Sequence, residues 1–307
     1  MWAIAREINR GDWHHALFVH RGKSICMGNI VWLASYPKSG NTWLRAFLAN
    51  LIADRADPLR PDEIRDYTDS EARADRFSEL AGRPNTELTA SEIAALRPDV
   101  HTLIAQRAQG TRLLMTHNFC GAFEGYPTFN WQVTAGAIYV VRNPLDVAVS
   151  MTHHFGLTLD EAIDRLGDDR VASMNDHLFV SHIISSWSTH ARSWAEVAEK
   201  SSGKIIVLRY EDLLEKPVKN FAKAAKLIGL GHDKARIERA VKHTSFQTLS
   251  SLEQKHGFVE AVDEKTPFFF KGRANQWRDV LSREQVHQIV DAHREQMARF
   301  KYVPAGY

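Results

Sequence analysis

Ile30-Val-Trp-Leu-Ala-Ser-Tyr-Pro-Lys-Ser-Gly-Asn-Thr-Trp43 decides how this chain is read. An apolar run of strand-forming residues enters a tight turn holding Pro37 and Gly40, and an amphipathic helix starts near Asn41 or Thr42. A strand, a glycine turn and a helix N-terminus aim several backbone N–H groups at one point, and the helix dipole adds to their pull on an anion. Lys38 lies inside the turn, where its ammonium can reach an oxygen of that anion. Taken alone, such a turn is more often a solvated surface feature; the strand before it and the helix after it favour an anion site. The segment is not a nucleoside-triphosphate loop of the G-x-x-x-x-G-K-[ST] kind. The chain's only Gly-Lys-Ser, starting at Gly22, has Leu17 where the first glycine would stand.

The same grammar recurs in Ile138-Tyr-Val-Val-Arg-Asn-Pro-Leu-Asp-Val-Ala-Val-Ser150. Asn143 suits a helix cap and Pro144 the first helical position. Arg142 then projects from a strand's carboxyl end, where open α/β sheets place ligands. Ser150, two turns on, can add a hydroxyl to the same anion; the competing reading pairs Arg142 with Asp146.

Near-continuous apolar runs at residues 30–35, 112–116, 137–141 and 204–208 read as strands covered on both faces, hence a parallel sheet. Helical patterns cover residues 42–52, 144–154, 176–200, 217–229, 233–243 and 282–300. Alternating strands and helices predict a single-domain α/β fold, a parallel sheet flanked by helices. Residues 54–110, charged and proline-punctuated, read as a helical insertion after the first βα unit, without a strong strand. Residues 250–271, polar and irregular, read as a lid or cofactor loop. The expected domain runs over residues 30–300, with an N-terminal extension at 1–29, in which Met27 is an alternative start, and a tail at 301–307.

The 307 residues are 44% hydrophobic and 25% charged, the composition of a globular protein with a substantial core. A formal net charge of +2 gives no general nucleic-acid or membrane surface, so any anion site is local. Two cysteines, Cys26 and Cys120, cannot build a disulfide framework, and no spacing suggests zinc. No apolar stretch approaches the roughly 18 residues of a membrane span, and the N-terminus lacks a secretory pattern. A cytoplasmic setting is expected. A homodimer is one open option.

Together the two turns resemble the cofactor motifs of the cytosolic-type sulfotransferases, which move a sulfuryl group from 3'-phosphoadenosine 5'-phosphosulfate (PAPS) to an acceptor and release adenosine 3',5'-bisphosphate (PAP). Ser35-Tyr-Pro-Lys-Ser-Gly-Asn-Thr-Trp43 is similar to the 5'-phosphosulfate loop TYPKSGTTW, and Arg142 to Ser150 is similar to the 3'-phosphate motif RNPxDxxVS. The resemblance implies a P-loop-NTPase-like sulfotransferase fold. It assigns Lys38 and His117, the latter in Leu114-Met-Thr-His-Asn118, to catalysis. Cofactor binding falls to Ser39, Gly40, Asn41, Thr42, Trp43, Arg142, Ser150, Tyr210, Thr244, Lys271 and Gly272. The last two lie in Pro267-Phe-Phe-Phe-Lys-Gly-Arg-Ala-Asn-Gln-Trp277, which resembles RKGxxGDW. Phe270 occupies the arginine position of that loop, and Arg273 is expected to reach the 3'-phosphate in its place. Met115 stands where many members carry lysine.

Sulfuryl transfer is an in-line displacement in which positioning and fixed charge do most of the work. Lys38 would stabilise the bridging oxygen, amides from Ser39 to Thr42 would hold the 5'-phosphate, and Trp43 would offer a face to adenine. His117 would take the acceptor's proton, with His153 and His154 as competitors. The sulfuryl bond is already activated and no carboxylate or histidine cluster asks for a metal, so none is expected. Phe77, Phe258, Phe268, Phe269 and Phe270 are expected to wall the site of a small, partly apolar acceptor bearing a hydroxyl or amine. The alternatives are a kinase-like phosphotransferase on the same frame, or a catalytically silent nucleotide-binding protein.

Overall fold

A computed structural model describes residues 3–4, 29–258, 260–261, 267–269 and 271–307. Five parallel strands form the sheet: β1 (Ile30–Ser35), β2 (Thr68–Ser70), β3 (Arg112–Thr116), β4 (Thr134–Val141) and β5 (Ile205–Arg209), in the order β2-β3-β1-β4-β5. Helices α1 (Asn41–Ala53), α2 (Ala74–Ala81), α3 (Ala90–Arg107), α4 (Pro144–Phe155), α5 (Leu159–Gly167), α6 (Trp187–Lys200), α7 (Tyr210–Glu215), α8 (Pro217–Leu227), α9 (Lys234–His243), α10 (Phe246–His256) and α11 (Arg283–Arg299) complete the longer elements.

Alternation along β1 explains its uninterrupted hydrophobicity. Ile30, Trp32 and Ala34 enter a core with Tyr139, Trp187 and Trp194, while Val31 and Leu33 enter a second core with Leu44, Phe47 and Phe221 on the other face. Both faces are dry, so every position of the strand must be apolar or small. Trp32 is fully buried, and its indole N–H is satisfied by Thr134 Oγ1 at 2.9 Å.

Several sequence expectations change. The insertion contains β2, which pairs in parallel with β3 through Thr68 and Leu113 and forms the sheet's edge. Its Thr-Asp-Ser composition carries no apolar run to announce it. The helix expected from residue 176 starts at Trp187. Asp176 Oδ1 accepts the amides of Leu178 and Phe179, a local turn that competes with helix, and Ser186 caps α6 through the amide of Thr189. Helix α10 occupies the beginning of the expected lid, capped by Ser245. The N-terminal extension lies outside the described residues apart from Ala3–Ile4, which pair with Val171–Ala172, and Asn29. Phe270 also lies outside them.

The strand order places β3 and β4 on opposite sides of β1. The register aligns Ala34 with Thr116 and Ser35 with Val140. The carboxyl ends of the three strands, and the residues that follow, therefore open on one crevice at a topological switch point.

Candidate active site

The turn after β1 is built by its own backbone. The amide of Ser39 donates to the carbonyl of Tyr36 at 3.2 Å, and Lys38 and Gly40 have φ of 65° and 103°. A Cβ on Gly40 would sit 2.7 Å from the Tyr210 ring, so glycine is required for that ring to close over the turn. Asn41 sends its side-chain amide back to Leu33 O at 2.8 Å, which fastens the helix start to the strand. The first intrahelical bond runs from Leu44 N to Gly40 O, so the amides of Asn41, Thr42 and Trp43 have no acceptor within the helix. Ser39 departs from expectation, because its amide is spent inside the turn. Its Oγ is buried with no hydrogen-bond partner among the described residues.

Lys38 faces a cavity of about 770 Å³. Burial lowers its pKa to about 7, with Glu260 opposing and Arg142 reinforcing the shift. The ammonium lies 4.3 Å from the centroid of the Phe268 ring. Arg142 Nη1 donates to the carbonyl of Lys38 at 2.9 Å, tying the second motif to the first. The guanidinium lies over the Tyr210 ring at 4.5 Å, and its Nε is buried with no hydrogen-bond partner among the described residues. Asp146 is not its ion-pair partner. That carboxylate accepts the amides of Asn275 and Trp277, at 2.7 and 3.1 Å, and so docks the 271–277 loop on α4.

The cavity wall brings together Lys38, Gly40, Asn41, Thr42, Trp43, His117, Arg142, Ser150, Tyr210, Lys271 and Gly272. Three expected residues lie off this wall: Ser39, buried beneath the turn, Arg273 and Thr244. Arg273 points to Asp279 at 2.9 Å in an exposed pair, off the wall. Thr244 bonds its hydroxyl to Ala240 O, while its carbonyl receives Trp43 Nε1 at 2.8 Å; it supports the indole from behind. Gly272 (φ 57°) would carry a Cβ 2.1 Å from the Phe246 ring, so that ring closes over glycine as Tyr210 closes over Gly40.

His117 follows β3, and its Nδ1 lies 2.7 Å from the carbonyl oxygen of Ser35. A carbonyl only accepts, so Nδ1 carries the proton and Nε2 is the basic nitrogen. Burial lowers this imidazole's pKa below its ordinary value, against the pull of the Ser35 carbonyl and Glu260. His153 and His154 also line the cavity. His153 donates through Nε2 to Pro267 O at 3.2 Å, and burial, reinforced by Lys38, pushes His154 down to about 4.

Residues outside the sequence reading contribute too. Glu260 accepts the Thr42 hydroxyl at 2.8 Å and pairs with Arg45 at 2.5 Å, placing a carboxylate on a hydroxyl expected to meet phosphate. Burial opposes its ionisation, but Arg45 and Thr42 outweigh that and hold its pKa low. His182 lines the far wall; burial pushes it to about 3, so it is neutral. Phe77 is fully buried under the Arg97 guanidinium in the core and does not reach the cavity. Segment 173–184 supplies that wall instead, through Ser173, Met174, His182 and Ile184.

This architecture matches the Sulfotransferase domain family over residues 29–301. The chain is 26% identical to mouse sulfotransferase 1B1 over 276 residues, covering 88% of this chain and 83% of that one. It is 28% identical to flavonol 3-sulfotransferase of Flaveria bidentis, covering 85% and 79%. Among solved structures it is similar to mouse sulfotransferase SULT7A1 complexed with PAP, with a TM-score of 0.56, 22% identity, and coverage of 88% and 84%. Retinol dehydratase in complex with androsterone and PAP gives a TM-score of 0.58 at 20% identity, covering 88% and 80%. The chain belongs to the sulfotransferase family. It is a PAPS-dependent sulfotransferase.

Proposed function

We propose that the cavity holds the donor with its phosphosulfate over the turn after β1 and its 3'-phosphate at Arg142, Ser150, Lys271 and Gly272. The His117 end is left for a small, partly apolar acceptor offering a hydroxyl or amine. The residues fit such a donor. Arg142 Nε is buried and unspent among the described residues, the first amides of α1 have no intrahelical acceptor, and two glycines admit aromatic rings where a Cβ would collide. PAPS supplies a sulfuryl group already activated by its phosphate leaving group.

What remains for the protein is placement and charge. The amides of Asn41, Thr42 and Trp43 suit the 5'-phosphate. Trp43, Tyr210 and Phe246 line the cavity with aromatic surface suited to a nucleobase. Lys38 sets a positive charge where negative charge develops on the leaving oxygen. His117 Nε2 takes the acceptor's proton, a contribution of about 10²–10⁴-fold in rate. Met115, Val149, Phe155, Met174 and Ile184 line the cavity together with the neutral rings of His154 and His182. Such a wall favours an uncharged, phenol-like acceptor over a polyanion.

The observation that carries this reading is the convergence of Lys38, Arg142, the α1 amides and His117 on one cavity. We further read residues 30–300 as one catalytic unit acting in the cytoplasm, where the buried free thiol of Cys120 stays reduced. No helix among the described residues is long and apolar enough to cross a membrane. The test is PAP release from PAPS over a panel of phenols, alcohols and amines. Acceptor-dependent release, lost in Lys38→Ala, is expected. Equal release by wild type and Lys38→Ala would overturn the assignment.

A further inference from the structure

The chain leaves the sheet after Thr116, and the peptide groups that follow are buried without a ladder partner, yet such groups must be satisfied. Thr116, Ile183 and Thr128 satisfy some of them, and one face of α6 satisfies three more. His190 Nε2 donates to His117 O at 3.2 Å, Ser193 Oγ accepts the Cys120 amide at 2.9 Å, and Trp194 Nε1 donates to Asn118 O at 3.0 Å. Positions 190, 193 and 194 have the i, i+3, i+4 spacing that lines up side chains on a helix.

His190 does more than its two neighbours. It is fully buried and does not line the cavity. Since the His117 carbonyl only accepts, the His190 proton is on Nε2, and Nδ1 accepts the Tyr139 hydroxyl at 3.0 Å. Burial, reinforced by His117, lowers its pKa to about 3, so the ring is neutral and both nitrogens are committed. The ring also stacks on Tyr139, with centroids 5.5 Å apart, and meets Tyr36 edge-on at 5.5 Å. Tyr36 opens the turn that carries Lys38. A single buried imidazole therefore touches strand β4, the Lys38 turn and the backbone of the proposed base.

We propose that His190 is a positioning residue for sulfuryl transfer, fixing the peptide of His117 relative to the Lys38 turn through its Nε2–H. This rests on His117 being the base. Small displacements of a reacting group cost on the order of 10²-fold in rate without a matching loss of ground-state binding.

The experiment compares His190→Phe, which keeps a ring but removes the donor, with His190→Gln, which returns an N–H near the position of Nε2. His117→Ala is run beside them. Readouts are kcat and KM with 2-naphthol or, if it is not an acceptor, PAPS turnover to water, together with PAP affinity by calorimetry and the melting temperature. In His190→Phe, kcat should fall by about 30–100-fold while PAP affinity stays within about twofold, and His190→Gln should recover most of the loss. If His190→Phe fails to fold, Tyr139→Phe, which frees Nδ1, should lower kcat by a few-fold with PAP affinity retained. Wild-type kcat in His190→Phe, parallel loss of kcat and PAP affinity, or no recovery with Gln would overturn the proposal. Full activity of His117→Ala would instead overturn the assignment of the base.

Discussion

His117 donates through Nδ1 to the carbonyl oxygen of Ser35 at 2.7 Å, so the imidazole is fixed to the strand that leads into the Lys38 turn. The proposed base and the proposed charge stabiliser thereby share one mechanical reference. Because burial lowers the His117 pKa, the acid limb of kcat against pH should turn at a value below the ordinary histidine 6.5: activity rises with pH as the ring loses its proton and becomes competent. His117→Ala should lower kcat by about 10²–10⁴-fold, with PAP affinity, read by calorimetry, nearly unchanged. A limb that persists at the same pH in His117→Ala would assign it to another group.

Lys38 should make donor binding proton-linked. Its pKa of about 7 is depressed chiefly by burial, and a bound anion raises it. Near pH 7.5 less than half of the free enzyme carries the charged form, so PAP binding should take up protons, and affinity should weaken as pH rises above about 7. Titrations in buffers of different ionisation enthalpy measure this uptake directly. Lys38→Met should abolish the uptake and lower kcat by roughly 10²–10³-fold.

Glu260 holds the Thr42 hydroxyl through its carboxylate. With the donor placed as proposed, that charge would compete with the 5'-phosphate for Thr42. Glu260→Gln removes that charge and should tighten PAP binding by roughly tenfold, about 1.4 kcal/mol. Weaker binding in this variant would make Glu260 part of the donor site rather than its rival.

The 271–277 loop separates two neighbouring residues. Gly272→Ala forces a Cβ into the Phe246 ring at φ 57°, and should cost about 1–2 kcal/mol of stability together with most of the preference for PAP over AMP. Arg273→Ala should leave PAP affinity within about twofold, since Arg273 spends its guanidinium on Asp279. Thermal melting and calorimetry on the two variants separate the cases.

The sheet core was legible because β1 and β4 are buried on both faces, and their continuous apolar runs have no other reading. The turn at Tyr36 to Gly40 was legible because its function needs a glycine and a lysine at fixed places. What escaped lacked local pattern. Strand β2 is three polar residues at a sheet edge, stabilised by pairing with β3. Helix α5 announced itself only through the Thr158–Glu161 capping box. Glu260 and His190 reach the site across 218 and 73 residues of sequence, as their bonds to Thr42 and His117 show, and no periodicity encodes such meetings. Arg273 was expected at the 3'-phosphate but pairs with Asp279 off the cavity wall, a pairing that motif spacing does not report.

The most direct test of the account is a calorimetric titration of PAP and AMP, without added metal, into wild type and Arg142→Ala. Wild type should bind PAP at least about 100-fold more tightly than AMP, about 2.7 kcal/mol, and Arg142→Ala should lose most of that margin. Equal affinities in wild type, or an unchanged margin in Arg142→Ala, would contradict the placement of the 3'-phosphate on which the rest of the site is built.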